Sequence, residues 1–162
     1  MDKFLCVMAG YDDATERYFS GIQNELYQKG FVGTHTKELP QHITLGSFPC
    51  TAEAAAALQV KAAMAKTAPF EITFSHIGLF GEGKVLFIAP DINRELLVFK
   101  EHFGGSQDWT PHTTMLIDEP EVVFSALPLV AARFRAFSGR VERLHLYEFW
   151  PTRHILSVEL GE

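Results

Sequence analysis

His42-Ile43-Thr44-Leu45 and His112-Thr113-Thr114-Met115 are two copies of one short pattern in this chain. In each copy a histidine and a threonine lie two residues apart, an apolar residue follows, and a proline precedes the histidine by one or two positions. Alternating polar and apolar side chains are typical of a half-buried strand, so each histidine should share a strand face with its threonine. The two histidines are 70 residues apart, which indicates that one structural unit occurs twice.

The first copy follows a strand and a helix. Residues 4–10 form an apolar run of strand length. Asp12 or Asp13 can then accept hydrogen bonds from the free N–H groups at a helix start, and Gly30 supplies a left-handed stop. The first unit is therefore strand, helix and motif strand.

The second copy also follows a predicted strand and a predicted helix. Residues 84–89 predict a strand, Asp91 begins a helix, and the glycine pair at 104–105 ends it. Because no linker separates the copies, the sequence predicts one α+β domain of two intertwined, pseudo-symmetric lobes, approximately 1–83 and 84–162. Each lobe contributes an antiparallel sheet, the helices lie outside, and the two sheets meet at a central cleft.

The remaining elements are predicted from helix caps, prolines and glycine turns. They are a helix over 52–67, a strand over 70–80 with a turn at 81–83, a helix from Glu121, and a closing hairpin of strands over 140–150 and 154–160. Thr51 should cap the first of these helices, whose thin apolar face is expected at Leu58, Ala62 and Ala65. Pro128 lacks an N–H group, so the second helix should be kinked or divided into two pieces.

The composition and net charge of the chain limit the kinds of partner that it can bind. A chain of 162 residues that is 47% hydrophobic and 21% charged is typical of one soluble domain. A formal net charge of −6 gives no general attraction to a nucleic-acid backbone or an anionic membrane. The apolar run 4–10 is too short for a signal-peptide core or a membrane span, and Cys6 and Cys50 show no metal-binding spacing. We therefore expect a cytoplasmic monomer without a metal or a cofactor.

The paired residues suit phosphate-ester chemistry. Because histidine titrates near neutral pH, one imidazole can take a proton from water while the other donates a proton to a leaving oxygen. The hydroxyls of the paired threonines can donate to the non-bridging phosphate oxygens. The candidate site therefore consists of His42, His112, Thr44 and Thr114. Phe87 and Trp150 are candidates for stacking on a base, with core packing as the alternative for both.

The two motifs resemble the paired His-x-Thr/Ser-apolar motifs of the two-histidine (2H) phosphoesterase superfamily, which includes 2'-5' RNA ligase-like proteins and cyclic nucleotide phosphodiesterases. The resemblance covers most of the chain and implies that 2',3'-cyclic phosphates are opened to 2'-phosphates without a metal. Carried over by position, it implies His42 as the proton donor and His112 as the base that activates water. Lys84 and Arg153 are candidate phosphate neighbours.

The implied partner is a cyclic nucleotide or the 2',3'-cyclic phosphate end of a short RNA. A long RNA tract is not expected, because no basic patch accompanies the motifs.

Two other functions share these motifs. A non-catalytic nucleotide- or phosphate-binding module would keep the cleft without turnover. An RNA 2'-5' ligase would run the same chemistry in reverse, and would have to hold a 5'-hydroxyl RNA end beside the cyclic phosphate. The acidic charge of the chain disfavours that second RNA contact.

Overall fold

The computed structural model describes residues 2–34 and 37–161. Its strands and helices are, in chain order, β1 (Phe4–Tyr11), α1 (Asp13–Gln28), β2 (His42–Pro49), α2 (Glu53–Lys66), β3 (Phe70–Leu79), β4 (Val85–Pro90), α3 (Arg94–Glu101), β5 (Thr113–Ile117), α4 (Pro120–Arg133), β6 (Phe137–Phe149) and β7 (Arg153–Glu159). Short 3₁₀ turns at Cys50–Ala52 and Gly81–Gly83 precede α2 and β4. Within the described ranges, no helix is both long enough and apolar enough to cross a membrane.

The strands pair antiparallel throughout, which confirms the predicted α+β class. The strand order is β2-β1-β6-β3-β4-β5, and β7 pairs with β6. With 13 residues β6 is long enough to pair with β3 near its start and with β1 and β7 further on. The two sheets expected from the sequence are therefore continuous through β6. Because β6 pairs with both β1 and β3, the strands of the two halves of the chain interleave.

The motif strands β2 and β5 lie at opposite ends of this strand order. They nevertheless contact each other, and the Thr113 hydroxyl donates to the His42 carbonyl oxygen at 3.1 Å. The sheet is therefore curved so that its two end strands face one another, although no backbone ladder joins them among the described strands. This curvature brings the two motifs together.

The helices pack on the sheet through apolar faces. On α1 the buried residues include Phe19, Ile22 and Leu26, which recur in the sequence at helical spacing. The predicted face of α2 was wrong: Ala56, Val60 and Ala63 are buried, whereas Leu58 is 68% exposed. An alanine-rich helix has no dominant apolar stripe, so its orientation is set by close packing, and two alanines let it approach β6 closely.

The start of α3 also differs from the prediction. Its N-cap is Asn93, whose side chain accepts a hydrogen bond from the Leu96 N–H at 2.8 Å. Asp91 instead accepts from the Ser75 hydroxyl. The prediction that Thr51 caps α2 was wrong. Thr51 lies in the 3₁₀ turn that precedes the helix, and Ala52 occupies the N-cap position.

Pro128 lies inside α4. The sequence analysis expected a kink or two short helices at this proline, and the structure has one continuous helix. A proline removes one intrahelical N–H donor, and burial of neighbouring side chains can compensate for that loss. Val123, Ala126 and Val130 are fully buried on both sides of the proline. Packing of this face therefore holds the helix together through the proline.

Candidate active site

The two motif histidines are held in the same way. His42 begins β2, and His112 immediately precedes β5. The Nδ1 atom of His42 is 2.7 Å from the carbonyl oxygen of Pro40, and that of His112 is 2.8 Å from the carbonyl oxygen of Thr110. Because a carbonyl oxygen only accepts, each neutral ring carries its hydrogen on Nδ1. Each ring therefore has Nε2 as its basic atom.

Burial lowers the pKa of both histidines. The pKa of His42 falls to about 4, mainly through desolvation, and a charge on His112 lowers it further. Desolvation also lowers the pKa of His112, and in both cases the hydrogen bond to the backbone carbonyl acts in the opposite direction. Both rings are therefore neutral bases at pH 7. A phosphate anion beside them would favour the protonated form of either ring.

A cavity of about 410 Å³ lies beside the first motif. His42, Thr44 and Thr114 contribute polar atoms to its lining, so the structure brings three of the four predicted motif side chains into one space. The apolar part of the wall includes the side chains of Phe4, Leu39, Ile117, Phe149 and Trp150. A cavity with a few polar groups and an extensive apolar wall is typical of small-molecule sites.

The two aromatic residues predicted from the sequence occupy different surroundings. Trp150 is 53% exposed on the cavity wall, with its ring centroid 5.0 Å from that of Phe149. Phe87 is buried and lies against the His112 ring at 5.2 Å between centroids. Phe80 packs on His112 edge-to-face at 4.7 Å. Trp150 is thus open to a ligand, whereas Phe87 supports the His112 imidazole.

His145 on β6 is a third, buried histidine near the first motif, and the sequence analysis did not single it out. A Cβ atom built on Gly10 would lie 2.4 Å from its Nε2, so the ring occupies the space that a side chain at Gly10 would need. Gly10 is paired with His42 across β1 and β2, which places the His145 ring next to the first motif. The signal in the sequence is the glycine within the apolar run 4–10, since a strand glycine often marks a close approach.

His145 is held from the other side by β7. Its Nδ1 is 2.7 Å from the Ser157 hydroxyl oxygen, which also lies 2.7 Å from Nε2 of His154. Desolvation lowers the pKa of His145 to about 4, with the charge of His42 as a further cause. Near neutral pH this ring is therefore uncharged.

The two cations predicted as phosphate neighbours are engaged in ion pairs. Arg153 contacts Glu53 at 2.6 Å and Glu148 at 3.2 Å. Lys84 lies 3.9 Å from Glu119. Neither of these two cations lines the cavity beside the first motif.

The same overall fold occurs in several solved structures. Escherichia coli LigT complexed with ATP superposes with a TM-score of 0.68 at 16% identity, covering 99% of this chain and 98% of that chain. The complex of LigT with 3'-AMP gives 0.66 at 16% identity and covers both chains completely. The protein TT0787 of Thermus thermophilus gives 0.64 at 15% identity and covers 97% of each chain. At these identities the likeness establishes the fold.

The family is established by the sequence itself. No curated protein sequence matches the chain significantly. The family model of the 2'-5' RNA ligase superfamily, however, matches residues 12–149, a segment that contains both motifs and most of the sheet. This match confirms the resemblance drawn from the motifs, and the chain therefore belongs to the 2'-5' RNA ligase superfamily.

Proposed function

We propose that this protein is a metal-independent phosphodiesterase that hydrolyses a 2',3'-cyclic phosphate, or a related cyclic or 2'-5' phosphodiester, on a nucleotide or a short RNA end. The observation that carries the proposal is the matched pair of imidazoles. Each is fixed by a hydrogen bond from Nδ1 to the carbonyl two residues earlier. Rings oriented in this way can exchange protons through Nε2 without first rearranging.

The reaction follows from these atoms. Nε2 of one ring takes a proton from water as the water oxygen attacks phosphorus. The bond from phosphorus to the 3' oxygen breaks, and the other ring, in its protonated form, gives its proton to that oxygen, leaving a 2'-phosphate. By their positions in the family pattern, His112 is the base and His42 the acid. The hydroxyls of Thr44 and Thr114 donate to the non-bridging oxygens, where negative charge grows in the transition state.

The cavity supports a nucleotide as the substrate. The hydroxyls of Thr44 and Thr114 in its lining can donate hydrogen bonds to a phosphate, and the exposed Trp150 on its apolar wall has a ring on which a base can stack. Solved relatives of the same fold include complexes of LigT with ATP and with 3'-AMP. The net charge of −6 favours a single nucleotide or a short end over a long phosphate backbone.

The test is hydrolysis of 2',3'-cyclic AMP, followed by the appearance of 2'-AMP. We expect His42→Ala and His112→Ala each to abolish turnover, and Thr44→Ala and Thr114→Ala each to lower kcat about a hundredfold. EDTA should have no effect. His76→Ala is the matched control, because it removes an exposed histidine on β3. Full activity in either motif-histidine variant would exclude the two-imidazole mechanism.

A binding assay and an RNA-joining assay distinguish the other two functions. Binding of 2',3'-cyclic AMP without any 2'-AMP would identify a non-catalytic binding module. Joining of a 5'-hydroxyl RNA end to a cyclic phosphate end, with a 2'-5' bond in the product, would identify a ligase.

A further inference from the structure

The two end strands of the sheet are joined by side chains. Across the gap between β2 and β5, the Thr113 hydroxyl donates to the carbonyl of His42 at 3.1 Å. The indole N–H of Trp109, which precedes β5, donates to the carbonyl of Thr44 at 3.1 Å. Both acceptors are backbone atoms of the first motif. No ladder joins these strands within the described ranges, so side-chain hydrogen bonds of this kind, together with packing in the shared core, hold them at their separation.

Thr113 is the middle residue of the second motif and faces away from the cleft. Its side chain is buried, and its hydroxyl oxygen is 2.5 Å from that of Tyr11. Because the single hydrogen of Thr113 is used on the His42 carbonyl, Tyr11 is the donor in this contact. Burial raises the pKa of Tyr11, so the phenol keeps its proton. The bonds therefore run in one direction, from Tyr11 to Thr113 to the His42 carbonyl.

We propose that Thr113, oriented by Tyr11, is a positioning residue that sets the separation of the two motif imidazoles. This proposal rests on the proposed function. Thr113 directly follows His112 in the chain, and its hydroxyl bonds the backbone of His42 itself. The bridge therefore joins one histidine to the neighbour of the other by a single hydrogen bond. A displacement of about 1 Å between reacting groups can reduce a rate about a hundredfold.

A purely structural role would have a different signature. Loss of a buried hydroxyl destabilises the fold wherever it occurs, so a control with the same chemistry is needed. Thr15 provides it: this threonine is also buried, and its hydroxyl oxygen accepts a hydrogen bond from the Arg140 N–H at 3.3 Å, outside the motif bridge. Thr113→Val and Thr15→Val each remove one buried hydroxyl, but only Thr113→Val removes the bridge.

Steady-state hydrolysis of 2',3'-cyclic AMP tests the positioning role. We expect Thr113→Val to lower kcat about ten- to a hundredfold with KM changed less than about threefold. Thr113→Ser should restore kcat to within about threefold of the wild type, and Tyr11→Phe should lower it severalfold. Thr15→Val should leave both constants unchanged. A wild-type kcat in Thr113→Val, or in Tyr11→Phe if the valine variant does not fold, overturns the proposal, as does failure of Thr113→Ser to restore activity.

A second measurement does not depend on turnover. Inorganic phosphate is titrated into the protein while the imidazole C–H signals of His42 and His112 are followed by NMR. In the wild type both signals should shift with one midpoint, and in Thr113→Val that midpoint should rise about tenfold. If the wild type fails to hydrolyse the cyclic nucleotide but shows this difference, the proposed function fails and the positioning role stands. Equal midpoints in the two proteins would overturn the positioning role.

Discussion

Gly10→Ala should destabilise this protein through a contact with His145. A Cβ at Gly10 would lie 2.4 Å from Nε2 and 2.9 Å from Cδ2 of that ring, and 3.0 Å from Cβ of Arg143. Atoms cannot remain at such distances, so the imidazole must move and give up its 2.7 Å contact with Ser157. Overpacking of this kind costs about 1–3 kcal/mol, and the lost hydrogen bond adds about 1 kcal/mol. The expected decrease in the free energy of unfolding is therefore about 2–4 kcal/mol.

Urea denaturation monitored by tryptophan fluorescence measures this change, provided that the slope m is the same in each variant. Gly81→Ala is the matched control, since a Cβ there would meet no described atom within 4 Å. Its expected effect is below about 0.5 kcal/mol. In a His145→Ala background the ring is gone, so adding Gly10→Ala should cost less than about 1 kcal/mol.

Comparison of the single and double variants identifies the source of the strain. If Gly10→Ala costs the same with and without the His145 side chain, the strain does not arise against that ring. If Gly10→Ala is as stable as the Gly81→Ala control, the close approach of His145 to β1 is not present in solution.

Two further predictions concern pH and the cavity wall. Burial lowers the pKa of His145 to about 4 in the folded protein, so between about pH 6.5 and pH 4 the unfolded chain binds a proton that the folded chain does not. The free energy of unfolding should therefore fall with decreasing pH, by up to about 3 kcal/mol from this residue. In His145→Gln, urea titrations at several pH values should show a free energy of unfolding that depends less on pH. If its dependence on pH is the same as in the wild type, the effect does not come from His145. Trp150→Ala should raise KM for 2',3'-cyclic AMP about tenfold with little change in kcat, and an unchanged KM would exclude Trp150 from base stacking.

The motif pair and most elements could be predicted because their signals are local. Alternation around His42 and His112 identifies two strands, and helical spacing on α1 places Phe19, Ile22 and Leu26 on its buried face. The repeat of element order was enough to predict that the two histidines belong to equivalent strands. Each element in these inferences is identified from a few neighbouring residues, and the repeat then follows from comparing the order of the elements.

The missed features depend on residues far apart in the chain. The bridge joins Tyr11, His42 and Thr113, and the space at Gly10 is filled by a ring from β6. No short window of sequence contains both partners of such a contact. Each feature had one local sign: Gly10 interrupts the apolar run 4–10, and Thr113 is polar at a strand position whose side chain should face the core. A buried hydroxyl at that position needs a hydrogen-bond partner.

The two motifs are pseudo-symmetric, but the surroundings of their imidazoles differ. This difference concerns which ring acts as the acid in the proposed mechanism. His42 lies near the His145 imidazole, whereas His112 packs against two phenyl rings. Burial lowers the pKa of both rings, so both are neutral at pH 7 before a ligand binds. A bound phosphodiester adds a negative charge that raises the pKa of either ring. In the proposed mechanism the acid is the ring whose Nε2 faces the leaving oxygen, so the orientation of the substrate, rather than the resting charge of the histidines, sets the direction of proton transfer.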